Sequence, residues 1–347
     1  MKKIVKVILF ITFLFILWKY VFSILWLPKN NISYFYEEPK NTLDIIYIGA
    51  SNVDQYFNPL LAFDLYGFTT GFLSTSSQPF IATKLLIQES LKTQKPSLYI
   101  IDLIRSQDDF SFNYSEVRTR EVIDSIPFSI NKINTIYEIL KYGKVSNDEY
   151  INYYFSFFKY HNIWRESYNS RLYKIKNKYK GYTFYEDNLK QNPQKENIWK
   201  DEIIEMENDN KTVLLELLDY IKKKNLNVLF VVPKVCDNWT PNQERINAAI
   251  RVIEQNGYNV INFNKRHDFI VDYETDFYNS SHLNIYGATK YTLYLSEYLK
   301  NNYKLPNHKG DINFETWQDG YYLFKDELYN SYGINFDSIL LKYKQNY

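Results

Sequence analysis

Five short runs of β-branched and aromatic residues, bounded by Gly, Pro or Asn, recur along the chain: LDIIYIG (43–49), GFTTGFL (67–73), PSLYIIDL (96–103), NLNVLFVVP (225–233) and GYNVINF (257–263). Runs of this kind are what a parallel sheet covered on both faces requires, because its strands meet no water on either side. Helical sequence lies between them. QPFIATKLLIQESLKTQ (78–94) carries an early proline, and KTVLLELLDYIKKKN (211–225) ends in lysines that suit a helix C-terminus. TPNQERINAAIRVIEQNG (240–257) predicts Thr240 as N-cap, Pro241 at the first helical position, Gln243 closing a capping box and Gly257 past the end. NIYGATKYTLYLSEYLKNN (284–302) completes the alternation. Strand–helix alternation predicts a three-layer α/β domain over residues 44–302.

Three segments fall outside that rhythm. Residues 105–210 are rich in Tyr, Asn and Lys and hold no buried-strand run, which predicts a mostly helical insertion after the third strand, at the edge where such folds bind ligands. Residues 29–43 read as a polar linker, and 303–347 as an aromatic extension packed on the domain. The N-terminus, MKKIVKVILFITFLFILWKYVFSILWLP, has Lys2, Lys3 and Lys6 before an apolar run to Leu27 that only Lys19 breaks. About 20 apolar residues suffice to span a bilayer, and Lys19 can snorkel beside Trp18 and Tyr20. The basic flank places the N-terminus in the cytoplasm and the body outside. With no small-residue cleavage site before Pro28, residues 1–28 are expected to be an uncleaved signal anchor, a single-pass attachment to the cell membrane; a cleaved signal peptide is the alternative.

Charge and composition remove several functions. With 41 basic and 40 acidic residues the net charge is +1, so no global field or charge block draws the chain to nucleic acid. The single cysteine, Cys236, rules out an intramolecular disulfide and a Cys-based zinc cage. The sequence has neither a Gly-rich phosphate loop with Lys nor metal-spaced histidines, and no cofactor is expected. The 34 Tyr and 24 Phe suit both cores and sugar-like polar surfaces, although an AT-rich coding sequence produces the same excess.

In DIIYIGASNVDQYFNP (44–59) the first apolar run stops at Gly49-Ala50-Ser51, where helix-compatible sequence begins. A serine there presents its hydroxyl above the carboxyl edge of the sheet, beside N–H groups suited to an oxyanion; alternatively it only caps the helix. LSTSSQP (73–79) follows the second run, where Gln78 can donate from its amide and Ser76 or Ser77 can cap. DFYNSSHLNIYGATKYT (276–292) places His282 in a loop before the last helix. A serine hydroxyl needs a base to take its proton, and a histidine is the usual one.

The pairing of IYIGASN with HLNIYGA resembles the SGNH/GDSL hydrolase superfamily. More narrowly it resembles the membrane-anchored, DltD-like branch of Firmicutes envelope proteins, with QKPSLYIIDL (94–103), KYHNIW (159–164), KGYTF (180–184) and LPNHKGD as further shared blocks. The likeness covers most of residues 44–325. It implies a flavodoxin-like parallel sheet of about five strands, with Ser51 as nucleophile and His282 as general base. It implies Ser74, Gln78, Asn52, His161 and Arg105 as oxyanion or substrate-binding residues; Arg105 can instead pair with Asp108 or Asp109. Tyr160, Asn162 and Trp164 would line the cleft with His161. The implied chemistry is an acyl-enzyme made from an acyl donor and discharged to water or to an envelope glycan or polyol hydroxyl. A multipass membrane acyltransferase is the implied partner.

Three departures from the family pattern stand out. Asn279 occupies the position of the usual Asp, three residues before the histidine, and Asp276 has a different offset. Ser74 replaces the usual second-block glycine, and the third-block Asn donor has no clear counterpart. These departures define the rival reading, an inactive protein of the same fold that binds envelope glycan or scaffolds an acylation complex. A third reading makes the anchor helix the main contact within a membrane complex.

Overall fold

In the computed structural model of the chain, residues 2–25, 30–108, 115–146, 149–156, 159, 178–186, 196, 198–236 and 242–344 are described. Five strands, β1 (Ile45–Gly49), β2 (Thr70–Ser74), β3 (Leu98–Asp102), β4 (Val228–Val232) and β5 (Asn259–Asn262), form one sheet in the order β2-β1-β3-β4-β5. Every pairing is parallel. This is the flavodoxin-like order, and each strand coincides with one of the five apolar runs, β2 running one residue past its run to Ser74. All residues of β1 to β4 are buried, as a doubly covered sheet demands, whereas β5 at the edge buries only Ile261.

The helices are α1 (Lys2–Leu25), α2 (Asn31–Phe35), α3 (Ser51–Tyr56), α4 (Pro59–Tyr66), α5 (Thr83–Ser90), α6 (Glu116–Ile123), α7 (Ile130–Tyr142), α8 (Tyr150–Tyr154), α9 (Asn208–Lys224), α10 (Gln243–Gln255), α11 (Ile285–Asn302), α12 (Glu315–Tyr332) and α13 (Phe336–Tyr343). Among the sheet-covering helices, α3, α4, α11, α12 and α13 pack together, and α5, α7, α9 and α10 form a second group, the two outer layers of the sandwich. The described parts of the insertion include α6, α7 and α8 together with irregular stretches at 178–186 and 198–207, with no strand among its described residues. Among the described residues no helix is long and apolar enough to cross a membrane. The side chains of α1 are described from Lys3 to Leu17 and at Tyr20, all of them exposed.

Two sequence expectations need correction. Residues 29–43 do not form a free linker: α2 buries Ile32 and Phe35 against the domain. The Asn30 side chain caps α2 by accepting from Ser33 N–H and donates to Glu121 O (2.9 Å) and Ser125 Oγ (2.8 Å), binding the segment to the insertion. The cap of α10 is Asn242, whose side chain accepts from Arg245 N–H; Thr240 lies outside the described residues. Asn242 wins because its oxygen is in register with the third N–H of the helix that forms.

The C-terminal extension closes the outer layer. Trp317 of α12 is 2% exposed and stacks on Phe63 of α4 with ring centroids 5.8 Å apart, while Lys180 Nζ lies 4.7 Å from its ring centre. His308 stacks on Phe314 at 3.8 Å and pairs with Asp44 at 3.1 Å, beside the start of β1. Removing the buried indole leaves a large cavity between α4 and α12. Trp317→Ala is therefore expected to cost about 3–5 kcal/mol of unfolding free energy in urea titrations.

Candidate active site

Ser51 is the first residue of α3 and follows β1 by one residue. It stands at the carboxyl edge of the sheet where the strand order reverses between β1 and β3, the crevice in which open α/β sheets bind ligands. Gly49 makes the placement possible, since a Cβ there would sit 2.5 Å from Asp102 Cβ and 2.8 Å from Val53 Cγ2. The helix-cap alternative does not describe this serine. Ala50 is the N-cap, without a side-chain bond, and the Ser51 hydroxyl lies 2.9 Å from His282 Nε2.

The histidine arrives on a hairpin of two short antiparallel strands, β6 (Phe277–Asn279) and β7 (His282–Leu283). Ser280 and Ser281 form its turn, so Asn279 and His282 face each other as cross-strand partners. The i, i+3 spacing read from sequence is thus the spacing of a two-residue hairpin. Asn279 Oδ1 lies 3.0 Å from His282 Nδ1 and also accepts from the Ser281 N–H at 2.9 Å. A backbone N–H can only donate, so the atom facing it must be the amide oxygen. That oxygen in turn requires Nδ1 to carry the imidazole proton, which leaves the Nε2 lone pair aimed at Ser51 Oγ. Asp276 does not take part. It is fully buried and bound to Lys290 Nζ (2.6 Å) and the Asp272 N–H (2.6 Å).

The hairpin is fastened to the nucleophile's own helix. The carbonyl of Ser281 accepts from Asn52 Nδ2 at 2.9 Å and from the Tyr56 hydroxyl at 3.0 Å, both on α3. Cys236 adds a bond from Sγ to Ser280 O at 2.7 Å. Ser51 and His282 open onto a cleft of about 440 Å3 whose lining includes Asn31, Tyr34, Asp54, Gln55, Ser74 and Tyr185. Burial lowers the His282 pKa from 6.5 to about 4, so the ring is a neutral base at physiological pH. Burial also pushes Asp54 up to about 7, against hydrogen bonds such as that from Ser74 which lower it. Ser51 and Asn52, as the first residues of α3, have no intrahelical acceptor for their N–H groups, which suits an oxyanion forming at Ser51.

The remaining expected site residues divide. Ser74 lines the cleft, but its side chain accepts from Asn31 Nδ2 (2.9 Å) and donates to Asp54 Oδ1 (2.7 Å). Gln78 is no oxyanion donor: it is 2% exposed, and its amide donates to Leu73 O at 3.2 Å, holding the loop after β2. The Asn52 side chain holds the hairpin, leaving only its backbone N–H to face an oxyanion. Arg105 pairs with Asp108 at 2.6 Å and does not line the cleft, because the turn after β3 directs it back on its own loop. His161 and its neighbours Tyr160, Asn162 and Trp164 lie outside the described residues. Sequence reasoning missed Asp54 and Gln55, although their i+3 and i+4 spacing from Ser51 puts all three on one helical face. For Asn31 the sequence held no signal.

Two outcomes follow from the histidine's surroundings. Asn279→Asp replaces a neutral acceptor with a charged one on an already correct tautomer. A hydrogen bond to a charged group is worth about 1.5–3 kcal/mol, so the rate of serine labelling should rise roughly 10- to 100-fold, with the acid limb of its pH profile displaced upward. In the native chain that rate should be flat above pH 6.5 and fall as pH approaches the value of about 4 at which His282 protonates. The unfolded chain binds this proton first, so the histidine's share of stability is also complete above pH 6.5 and lost on the way down to about 4; acid-unfolding curves of the wild type and His282→Gln measure that share. No family model matches the chain, and no curated protein matches it.

Proposed function

We propose that the chain is a membrane-anchored, extracytoplasmic serine acyltransferase or esterase of the SGNH type, acting on acyl groups of a cell-envelope polymer or exopolysaccharide. The observation that carries this reading is the 2.9 Å contact from Ser51 Oγ to the unprotonated Nε2 of His282 at the mouth of an open cleft. In the reaction, Ser51 Oγ attacks the donor's carbonyl carbon while Nε2 takes the hydroxyl proton. The oxyanion lies against the Ser51 and Asn52 N–H groups. Collapse expels the donor's alcohol or thiol, which leaves with the proton from His282. Water or a sugar or polyol hydroxyl then reverses the sequence, and the acyl group passes to it.

Support for the anchor comes from α1. Its 24 residues extend about 36 Å, and apolar side chains from Ile4 to Leu17 are exposed around the whole helix. Such a surface needs an apolar surrounding. With Lys2, Lys3 and Lys6 in its first turns, the helix would hold the N-terminus in the cytoplasm and the catalytic body outside. A multipass membrane acyltransferase would then be the source of the acyl group.

The second reading, a non-catalytic protein that holds an envelope glycan or scaffolds an acylation complex, draws on one observation. Asn279 offers the imidazolium no counter-charge, and burial already holds His282 near 4. Fluorophosphonate labelling decides between the two. Labelling of wild type, abolished in Ser51→Ala and reduced at least about 100-fold in His282→Ala, is the expected outcome. Absence of labelling where a serine esterase reacts gives the second reading.

A further inference from the structure

Gln55 is 8% exposed, lines the cleft beside Ser51, and its Oε1 has no hydrogen-bond partner among the described residues. Buried acceptors without partners are rare in folded proteins. Among the described residues that line the cleft, Gln55 Oε1 is the one buried polar side-chain atom without a partner, and several of its neighbours are already committed. Asn31 donates to Ser74, Ser74 to Asp54, and Asn30 to Glu121 O and Ser125 Oγ. Ser51 and His282 hold each other. The cleft therefore keeps one buried acceptor in reserve, on the same helical face as the nucleophile.

We propose that Gln55 Oε1 accepts a hydrogen bond from a hydroxyl of the sugar or polyol that enters the cleft, making Gln55 a specificity-determining residue for the acyl acceptor. The inference rests on the acyl-transfer reading above and extends it to the acceptor's place in the site. One helical turn, about 5.4 Å, separates Ser51 from Gln55, a span that a single sugar ring or short polyol bridges. One hydroxyl meets the acyl carbon on Ser51 while a second lies against Gln55. Tyr185, stacked on Tyr278 at 3.9 Å, adds an aromatic ring to the lining, a surface that suits the apolar face of a sugar. In the transfer step the first hydroxyl gives its proton to His282 Nε2, and its oxygen bonds to the acyl carbon. The Ser51 Oγ–acyl bond breaks, and Oγ takes the proton back. Gln55 exchanges no proton; it fixes which hydroxyl is presented.

The test uses the full-length chain, with methyl β-glucopyranoside and sorbitol as probes and affinities read by NMR titration. Gln55→Met keeps the side chain's length and removes its acceptor. It should weaken binding of both probes about tenfold while its melting temperature stays equal or rises, because an orphaned buried acceptor has been removed. Gln55→Glu, which keeps an acceptor oxygen, should retain binding. A fully O-methylated glucoside, which cannot donate, should bind wild type and Gln55→Met alike. Equal binding of the hydroxylated probes by wild type and Gln55→Met overturns the proposal, as does failure of wild type to bind either. Fluorophosphonate labelling of wild type is run alongside. Loss of binding in Gln55→Met without labelling of wild type upholds the subsite and overturns the acyl-transfer reading.

Discussion

The carbonyl oxygen of Ser281 is the point on which the site's geometry depends. Two donors from α3, Asn52 Nδ2 and the Tyr56 hydroxyl, converge on it, and α3 also carries Ser51. Ser51 and His282 are thus both referred to one short helix, not to opposite ends of the domain. Tyr56 is fully buried, and its hydroxyl also reaches Lys234 O at 2.9 Å, beyond the end of β4. Its ring packs edge-on against Tyr291 of α11, whose hydroxyl meets that of Tyr47 in β1 at 3.0 Å. The hairpin's anchor on Tyr56 is thus continuous with the contacts that tie β1 to the outer layer. Such a polar network inside an apolar core favours one arrangement over near alternatives.

Within that frame Asn279 does part of what a carboxylate does. It sets the tautomer and the ring plane of His282, because Ser281 N–H dictates which end of the amide faces inward. It does not supply charge. Orientation and electrostatic stabilisation are separable contributions of a triad's third member, and this site keeps the first without the second. Burial, with no counter-charge beside the ring to oppose it, keeps His282 neutral down to about pH 4.

The sheet was legible because a doubly covered strand leaves a local trace: five apolar runs with small or turn-forming residues at their ends. Ser51 and His282 were legible for the same reason, since a strand end and a hairpin turn each fix one side chain by short-range rules. The i, i+3 offset of Asn279 belongs to this class. Other roles depend on the direction of a side chain in a loop, which no local pattern encodes. Gln78 turns inward to Leu73 O instead of towards the cleft, and Arg105 folds back on Asp108. Asn31 reaches Ser74 from what reads as polar linker, because only the assembled domain offers Ile32 and Phe35 a surface to bury against. Asp54 and Gln55 lie between these cases: helical spacing from Ser51 marks their face, but the burial that gives them meaning is tertiary.

The separation of 231 positions between Ser51 and His282 has a consequence in time. A chain made from its N-terminus presents β1 and α3 long before the hairpin exists, and until then the Ser51 hydroxyl has no base. Domains generally fold as units, so the turn that carries Ser51 meets its histidine only once the C-terminal part of the domain has been made. The Ser51–His282 contact forms only when β6 and β7 dock onto Asn52 and Tyr56, so the bonds that align the pair also mark the point at which it is assembled.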